Sequence, residues 1–139
     1  PHLKPMLMVD VIEHICLQRV LTHFAIDEDC IFVEDHYLTE AGLVENAAQI
    51  CSSISGQYYF DGTPPNQDEN KPNVIGFISS IKKITLHKLP EIGTTIQTEA
   101  NLVSQVQMPE YSICTLKVTT YQLDTLILEG EMNLFLQKK

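Results

Sequence analysis

Residues 38–59 read LTEAGLVENAAQICSSISGQYY, and their spacing decides the fold. The Thr39 hydroxyl is placed to cap a helix, with Glu40 in the first turn, where the macrodipole favours a carboxylate. Leu43, Ala47, Ile50 and Ile54 then recur at helical spacing, and Val44, Ala48 and Cys51 widen that face. Gly56 is a natural stop. Most of the circumference is apolar or small, as in a helix wrapped by other structure. Against it, Glu45, Gln49 and Ser52 make one narrow polar stripe. A carboxylate on a largely buried helix is costly unless it is paired or put to use. Two readings follow: the stripe is the wet side of an ordinary amphipathic helix, or Glu45 is a working carboxylate in apolar surroundings.

Upstream, residues 11–26 are rich in β-branched side chains. Val20, Thr22, Phe24 and Ile26 alternate against Leu21, His23 and Ala25, which predicts one long strand or two short ones. Asp27, Glu28 and Asp29 form an acidic turn, and Ile31, Phe32 and Val33 a brief apolar anchor before the helix. Residues 6–9, MLMV, are expected as one helical turn or an extended cover over the core. Downstream, residues 61–73, DGTPPNQDENKPN, read as a mobile loop with three prolines. From Val74 the period becomes two. One strand runs to Leu89, with a bulge around Lys82–Lys83 where Ile81 and Ile84 break alternation. The next puts Ile96, Thr98, Ala100, Leu102, Ser104 and Val106 on one face. A turn at residues 108–110 leads to Cys114, Leu116 and Val118. A turn at residues 122–124 then leads to Leu126, Leu128, Gly130, Met132, Leu134 and Leu136. These read as consecutive antiparallel strands, a meander. The class is α+β, and a curved antiparallel sheet wrapped around one long central helix is the simplest way to bury both.

The chain of 139 residues is long enough for one domain with a real core. Its 44% hydrophobic and 19% charged residues are ordinary for a soluble globular protein. No apolar run approaches the ~20 residues that span a bilayer, and the first ten residues lack the pattern of a secretory signal. No membrane partner and a cytoplasmic location are therefore expected. A net charge of −9 argues against nucleic acid as a partner. Cys16, Cys30, Cys51 and Cys114 are scattered without a C-x-x-C and are expected to act as small core hydrophobes in a reducing compartment. The histidines show no ligand spacing, so neither a metal nor a cofactor is expected.

Three blocks in register resemble the hotdog-fold 3-hydroxyacyl-(acyl carrier protein) dehydratases over nearly the whole chain. PHLKPMLMVD at residues 1–10 is similar to that family's opening, Pro-His-Arg-x-Pro-Phe-Leu-Leu-Val-Asp. Leu43 to Gln49 resembles its helix block, Ile-Val-Glu-Ala-x-Ala-Gln. Residues 76–93, with Lys82–Lys83 and Pro90 to Gly93, resemble its third block. The short helix entry TEAGLVENAAQ is further similar to a divergent branch found in bacterial aryl-polyene and flexirubin-type pigment clusters. The resemblance implies a single hotdog domain over residues 1–139 that removes water from a 3-hydroxyacyl thioester of acyl carrier protein or coenzyme A.

In the family, a helix carboxylate of one subunit works with a histidine of the other. That carboxylate carries over to Glu45, and the histidine, with a shortened spacing, to His36. A histidine titrating near neutrality suits the base, and a desolvated carboxyl suits the acid. His36 is either this base, reaching in from a shortened loop, or a surface loop histidine. The resemblance also places Gly42, Gln49, Gly76 and Phe77 along the substrate, with the helix N-terminus donating to the thioester oxygen. His2 matches a structural position, and His14 and His23 fall in strand patterns. Lys82, Lys83 and Lys88, with His87 among them, form the densest basic cluster. It is either a solvated face or a landing patch for phosphopantetheine or an acidic carrier protein. The alternatives are a hotdog thioesterase and a non-catalytic acyl-binding partner of an active homologue. All imply a homodimer or higher oligomer, possibly with a homologous subunit.

Overall fold

The computed structural model describes residues 3–16, 18–56 and 74–138. Nine elements follow in order: β1 (Val11–Ile15), β2 (Arg19–Ala25), β3 (Val33–Glu34), β4 (Tyr37–Leu38), α1 (Glu40–Gly56), β5 (Val74–Leu86), β6 (Thr95–Gln107), β7 (Tyr111–Gln122) and β8 (Thr125–Lys138). Six strands form one antiparallel sheet in the order β1-β2-β6-β7-β8-β5, and β3 and β4 form a separate hairpin. The sheet buries one face against α1, so the α+β class expected from the periodicity is the class observed.

The helix begins where its cap predicts. The Thr39 hydroxyl accepts the Gly42 N–H at 3.3 Å and donates to the Phe32 carbonyl at 2.8 Å, tying the first turn to the preceding hairpin. Leu43, Ala47, Ile50, Cys51 and Ile54 are all buried against inward residues of the sheet, among them Val20, Ile96, Ala100, Leu116, Val118, Met132 and Leu134. The upstream region resolves into two short strands rather than one, since Cys16 N bonds Arg19 O and closes a hairpin between β1 and β2. Residues 3–7 make a short turn, and an extended strap then runs over the helix to Met8 and Val9.

Two expectations are corrected. The last four strands are not one meander: β5 pairs with β8, while β2 takes the free edge of β6. The connection from Leu86 to Thr95 therefore crosses the end of the sheet, and a strand from before the helix supplies hydrogen bonds that a meander would have left to β5. The second concerns β6. A register shift between Leu102 and Ser104 moves the later residues to the other face, so Ser104 and Val106 pair with the outward Thr115 and Ile113. The bulge foreseen near Lys82–Lys83 is present between Ile81 and Lys83, and another lies between Ile78 and Ser80. The loop expected over residues 61–73 lies outside the described residues.

Of the four cysteines, Cys51 and Cys114 are core residues as expected. Cys30 is half-buried, with its thiol 3.7 Å from the Met8 sulfur, and Cys16 is exposed at the end of β1. No disulfide is present among them. No helix in the described residues is long and apolar enough to cross a membrane.

Candidate functional site

Of the polar stripe of α1, Gln49 lies under the N-terminal strap. Gln49 is 8% exposed, and its side-chain amide makes three bonds. Its Oε1 accepts the Met8 N–H at 2.8 Å, and its Nε2 donates to Met6 O at 2.7 Å and to Glu45 Oε1 at 2.9 Å. Glu45 is half-buried, one turn before Gln49. Ser52, the third member of the stripe, is exposed and folds its hydroxyl back on Ala48 O at 2.9 Å.

Beside the stripe stands a residue the sequence reading passed over. Asn46 has no exposed surface. Its Nδ2 donates to Met8 O at 2.6 Å, and its Oδ1 accepts the Thr98 hydroxyl at 2.9 Å. Thr98 Oγ1 also lies 3.0 Å from Thr120 Oγ1, and the Thr22 hydroxyl donates to Thr98 O at 3.3 Å. A chain of polar groups thus crosses the core from strap to helix to sheet, with every buried side-chain polar atom among the described residues bonded. The signal was in the pattern. Asn46 lies three residues after Leu43 and four before Ile50, on the apolar face, where an amide is tolerated only if bonded.

His36 sits elsewhere. Asp35 and His36 have φ of 50° and 70°, the positive values that both central residues of a two-residue type I′ hairpin turn need. They join β3 to β4. The turn is docked by its backbone, with Ile92 N bonded to His36 O at 2.9 Å and Leu38 N to Pro90 O at 2.9 Å. The imidazole is exposed, and within one chain no hydrogen bond or ion pair joins it to Glu45 among the described residues.

The remaining expected site residues divide between packing and surface. Gly42 is buried where a Cβ would lie 2.6 Å from Leu38 Cδ1 and 2.7 Å from Phe32 Cβ, so the first helical turn needs glycine to meet the hairpin. Its N–H faces the Thr39 hydroxyl. Gly76, opposite Leu136 on β5, would bring a Cβ to 2.8 Å from Leu136 Cδ2. Phe77 points to the other side of the sheet, with its ring 5.2 Å from that of Phe135, which stacks in turn on Tyr111 at 5.2 Å. The structure therefore does not bring the Phe77 ring and Glu45 to the same face of the sheet.

Lys82, Lys83 and Lys88 are all exposed. The cluster is partly neutralised from β8, by Glu131 3.6 Å from Lys82 and Glu129 3.5 Å from His87. His14 is exposed on β1, His23 pairs with Glu13, and His2 lies outside the described residues. Among the described residues no group of histidine, cysteine and carboxylate side chains is arranged to hold a metal ion.

Cavities flank the strap. One of about 260 Å³ is lined by Leu7, Val9, Ile12, Thr22, Gln49 and Ile50. A larger one, about 740 Å³, lies between the strap, the acidic turn at Asp27–Asp29 and Gly93.

No protein-family model and no curated protein sequence matches this chain. Solved structures do match. The dehydratase heterocomplex ApeI:P from Xenorhabdus doucetiae superposes with a TM-score of 0.78 at 15% identity, covering 99% of this chain and 87% of that one. Cj0977, a sigma28-regulated virulence protein of Campylobacter jejuni, gives 0.67 at 13% identity over 96% and 79%. A hypothetical thioesterase protein with coenzyme A from Streptococcus pneumoniae TIGR4 gives 0.63 at 12% over 93% and 86%. These neighbours are hotdog-fold proteins, and one helix against a six-stranded antiparallel sheet is consistent with that fold. At these identities the likeness is one of fold.

Proposed function

We propose that this chain is a subunit of an acyl-thioester dehydratase, acting on a 3-hydroxyacyl group carried by acyl carrier protein or coenzyme A. The observation that carries the reading is Glu45. It is the carboxylate beyond the first turn of the central helix, half-buried and held through one oxygen by Gln49. A carboxyl so placed offers its other oxygen as an acid. In the forward reaction a base removes the proton α to the thioester carbonyl, leaving the electron pair as an enolate. That pair then forms the α,β double bond as the β C–O bond breaks, and the hydroxyl leaves as water with a proton from Glu45. The N-terminus of α1 supplies a positive electrostatic end for the thioester oxygen as enolate character develops. His36 from a second subunit is the proposed base, which makes the active form a dimer or larger assembly. Lys83 and Lys88, outside the Lys82–Glu131 and His87–Glu129 pairs, are the proposed contacts for the carrier's phosphate.

A second reading has its own support. The His36 backbone is locked in a turn docked on Ile92, its imidazole is exposed, and the neighbour from X. doucetiae is a heterocomplex. In this version the chain is the partner of an active homologue and contributes no base.

The test is hydration of trans-2-enoyl thioesters, followed by loss of enoyl absorbance, with wild type, Glu45→Gln and His36→Gly. Glycine is the informative change at 36 because it removes the imidazole while relieving the positive φ. Loss of roughly 100-fold or more in both variants is the dyad's expected result. Loss in Glu45→Gln alone, with hydrolysis of saturated acyl thioesters retained in His36→Gly, replaces dehydration by thioester hydrolysis. An inert wild type that activates a co-expressed homologue establishes the partner reading.

A further inference from the structure

We propose that the groove between β1, the strap and α1 holds the acyl tail within one subunit and selects chains of medium length. The proposal rests on the reading of Glu45 as the acid that meets C3 of a 3-hydroxyacyl thioester.

The groove is the half-open cavity of about 260 Å³, with Leu7 and Val9 of the strap, Ile12 of β1 and Ile50 of α1 as its apolar walls. Ile12 pairs with the buried Thr22, so it points to the helix side of the sheet, yet it is 48% exposed. Bonds from Gln49 and Asn46 to the backbone of Met6 and Met8 fix the strap wall. The polar residues along the groove all have partners within the chain. Thr22 donates its hydroxyl to Thr98 O at 3.3 Å and Ser53 donates to Ile50 O at 2.7 Å. Gln49 uses its amide on Met6, Met8 and Glu45. At the rim, one Asp10 oxygen accepts the Ala25 N–H at 2.7 Å. The groove thus offers an occupant apolar contact, and the one charged group among its described lining residues is the Asp10 carboxylate. A hydrocarbon tail suits that lining, whereas a phosphate or the head of a free fatty acid does not.

The groove is continuous with the proposed site, because Gln49 lines it and also touches Glu45. It lies at the β1 edge of the sheet, opposite the β5 edge. With the thioester oxygen at the N-terminus of α1 and C3 at Glu45, the tail runs on along the helix, past Gln49 to Ser53. From Glu45 to Ser53 the helix rises about 12 Å, which an extended chain advancing roughly 1.2 Å per bond covers in about ten bonds. Volume gives a similar length. An apolar cavity of roughly 150 Å³ takes one benzene ring, so about 260 Å³ takes about ten carbons. Decanoyl-length substrates therefore fill the groove, butyryl ones do not reach it, and palmitoyl ones overrun it.

The whole chain is used for the test, which has a binding arm and a kinetic arm. The binding probe is the amide analogue of decanoyl coenzyme A, which undergoes neither dehydration nor thioester hydrolysis, with its butyryl counterpart for comparison. In methyl-resolved proton–carbon spectra of wild type, the decanoyl probe shifts the Ile12 and Ile50 methyls and the butyryl probe does not. Each buried methylene adds roughly fourfold in affinity, so Ser53→Phe, whose ring fills the far end of the groove, weakens the decanoyl probe by about tenfold or more in calorimetry. Ser52→Phe, at the exposed neighbouring position, leaves that affinity within about twofold. In the kinetic arm, the ratio of kcat/KM for hydration of trans-2-decenoyl over crotonyl thioester falls by about tenfold or more in Ser53→Phe. Ile12→Ala, which widens the mouth, moves the preference to longer chains.

Methyl shifts confined to residues outside the groove overturn the proposal, as does a decanoyl affinity that Ser53→Phe leaves unchanged. If Ser53→Phe does not fold, the wild-type methyl shifts and the chain-length profile of Ile12→Ala decide, and an unaltered profile overturns the proposal. If wild type is inert on every enoyl thioester, the functional reading fails, while the decanoyl probe still decides whether the groove takes an acyl tail.

Discussion

At the scale of the residue, the protein's polar interior concentrates at Asn46 and Gln49. Asn46→Ala takes one partner from the Thr98 hydroxyl and the Asn46 amide from the buried Met8 carbonyl, and should cost about 1–3 kcal/mol in equilibrium unfolding by urea. The outward Ser52→Ala on the same helix should change stability by less than about 0.5 kcal/mol. Cys51 gives a pH signature. Burial pushes its thiol from 9.0 up to about 12. A raised acid binds its proton more tightly folded than unfolded, so this contribution is complete below pH 9 and is lost as pH climbs towards 12. Chemical denaturation across that window should show stability falling with pH, and Cys51→Ala should flatten the fall. In the native state, alkylation followed by peptide mapping should label exposed Cys16 long before Cys51.

Among the elements, the contact between β5 and β8 depends on one glycine. A Cβ at Gly130 would lie 2.5 Å from both the Lys83 carbonyl and Ile84 Cδ1, beside the bulge at Ile81/Lys83. Neither a backbone carbonyl in a ladder nor a packed isoleucine gives way cheaply. Gly130→Ala should therefore destabilise by about 1–3 kcal/mol and loosen the β5 amides in hydrogen exchange. Gly93 is the opposite case. It has φ of 80° with open space around the Cβ position, so any penalty for Gly93→Ala is conformational, of order 1 kcal/mol. The β3–β4 hairpin shows where the local sequence carries no signal. Glu34, Asp35, His36 and Tyr37 carry no period, and asparagine-glycine, the usual type I′ signal, is absent. The two-residue turn was visible only once Asp35 and His36 were seen at positive φ, held by the docking of His36 O and Leu38 N on residues 90–92.

For the whole molecule, both sheet edges carry exposed apolar side chains: Val11, Ile12 and Ile15 on β1, and Ile75, Phe77 and Ile81 on β5. Long edges of this kind invite pairing with another chain. We expect a dimer or larger assembly in sedimentation at micromolar concentration, and Phe77→Lys combined with Ile81→Lys should shift it towards monomer without loss of the far-UV spectrum. A monomeric wild type would count against the proposed two-subunit site.

What the sequence determined by itself was whatever a local period encodes. The α1 stripe, its Thr39 cap, the inward residues of β7 and of β8 from Leu128 on, and the presence of Glu45 on a near-apolar helix all follow from spacing, because burial on one face leaves a 3.6- or twofold imprint; at the start of β8 a register shift buries Ile127 instead of the expected Leu126. What only the tertiary structure decided was pairing between distant segments. That β2 rather than β5 lies beside β6, that β6 changes face at Val103, and that Gln49 and Asn46 bond a strap about forty residues away leave no periodic trace. A hydrogen bond between remote segments is chosen by which backbone atoms the fold brings within reach, and a single chain's residue order does not state that choice.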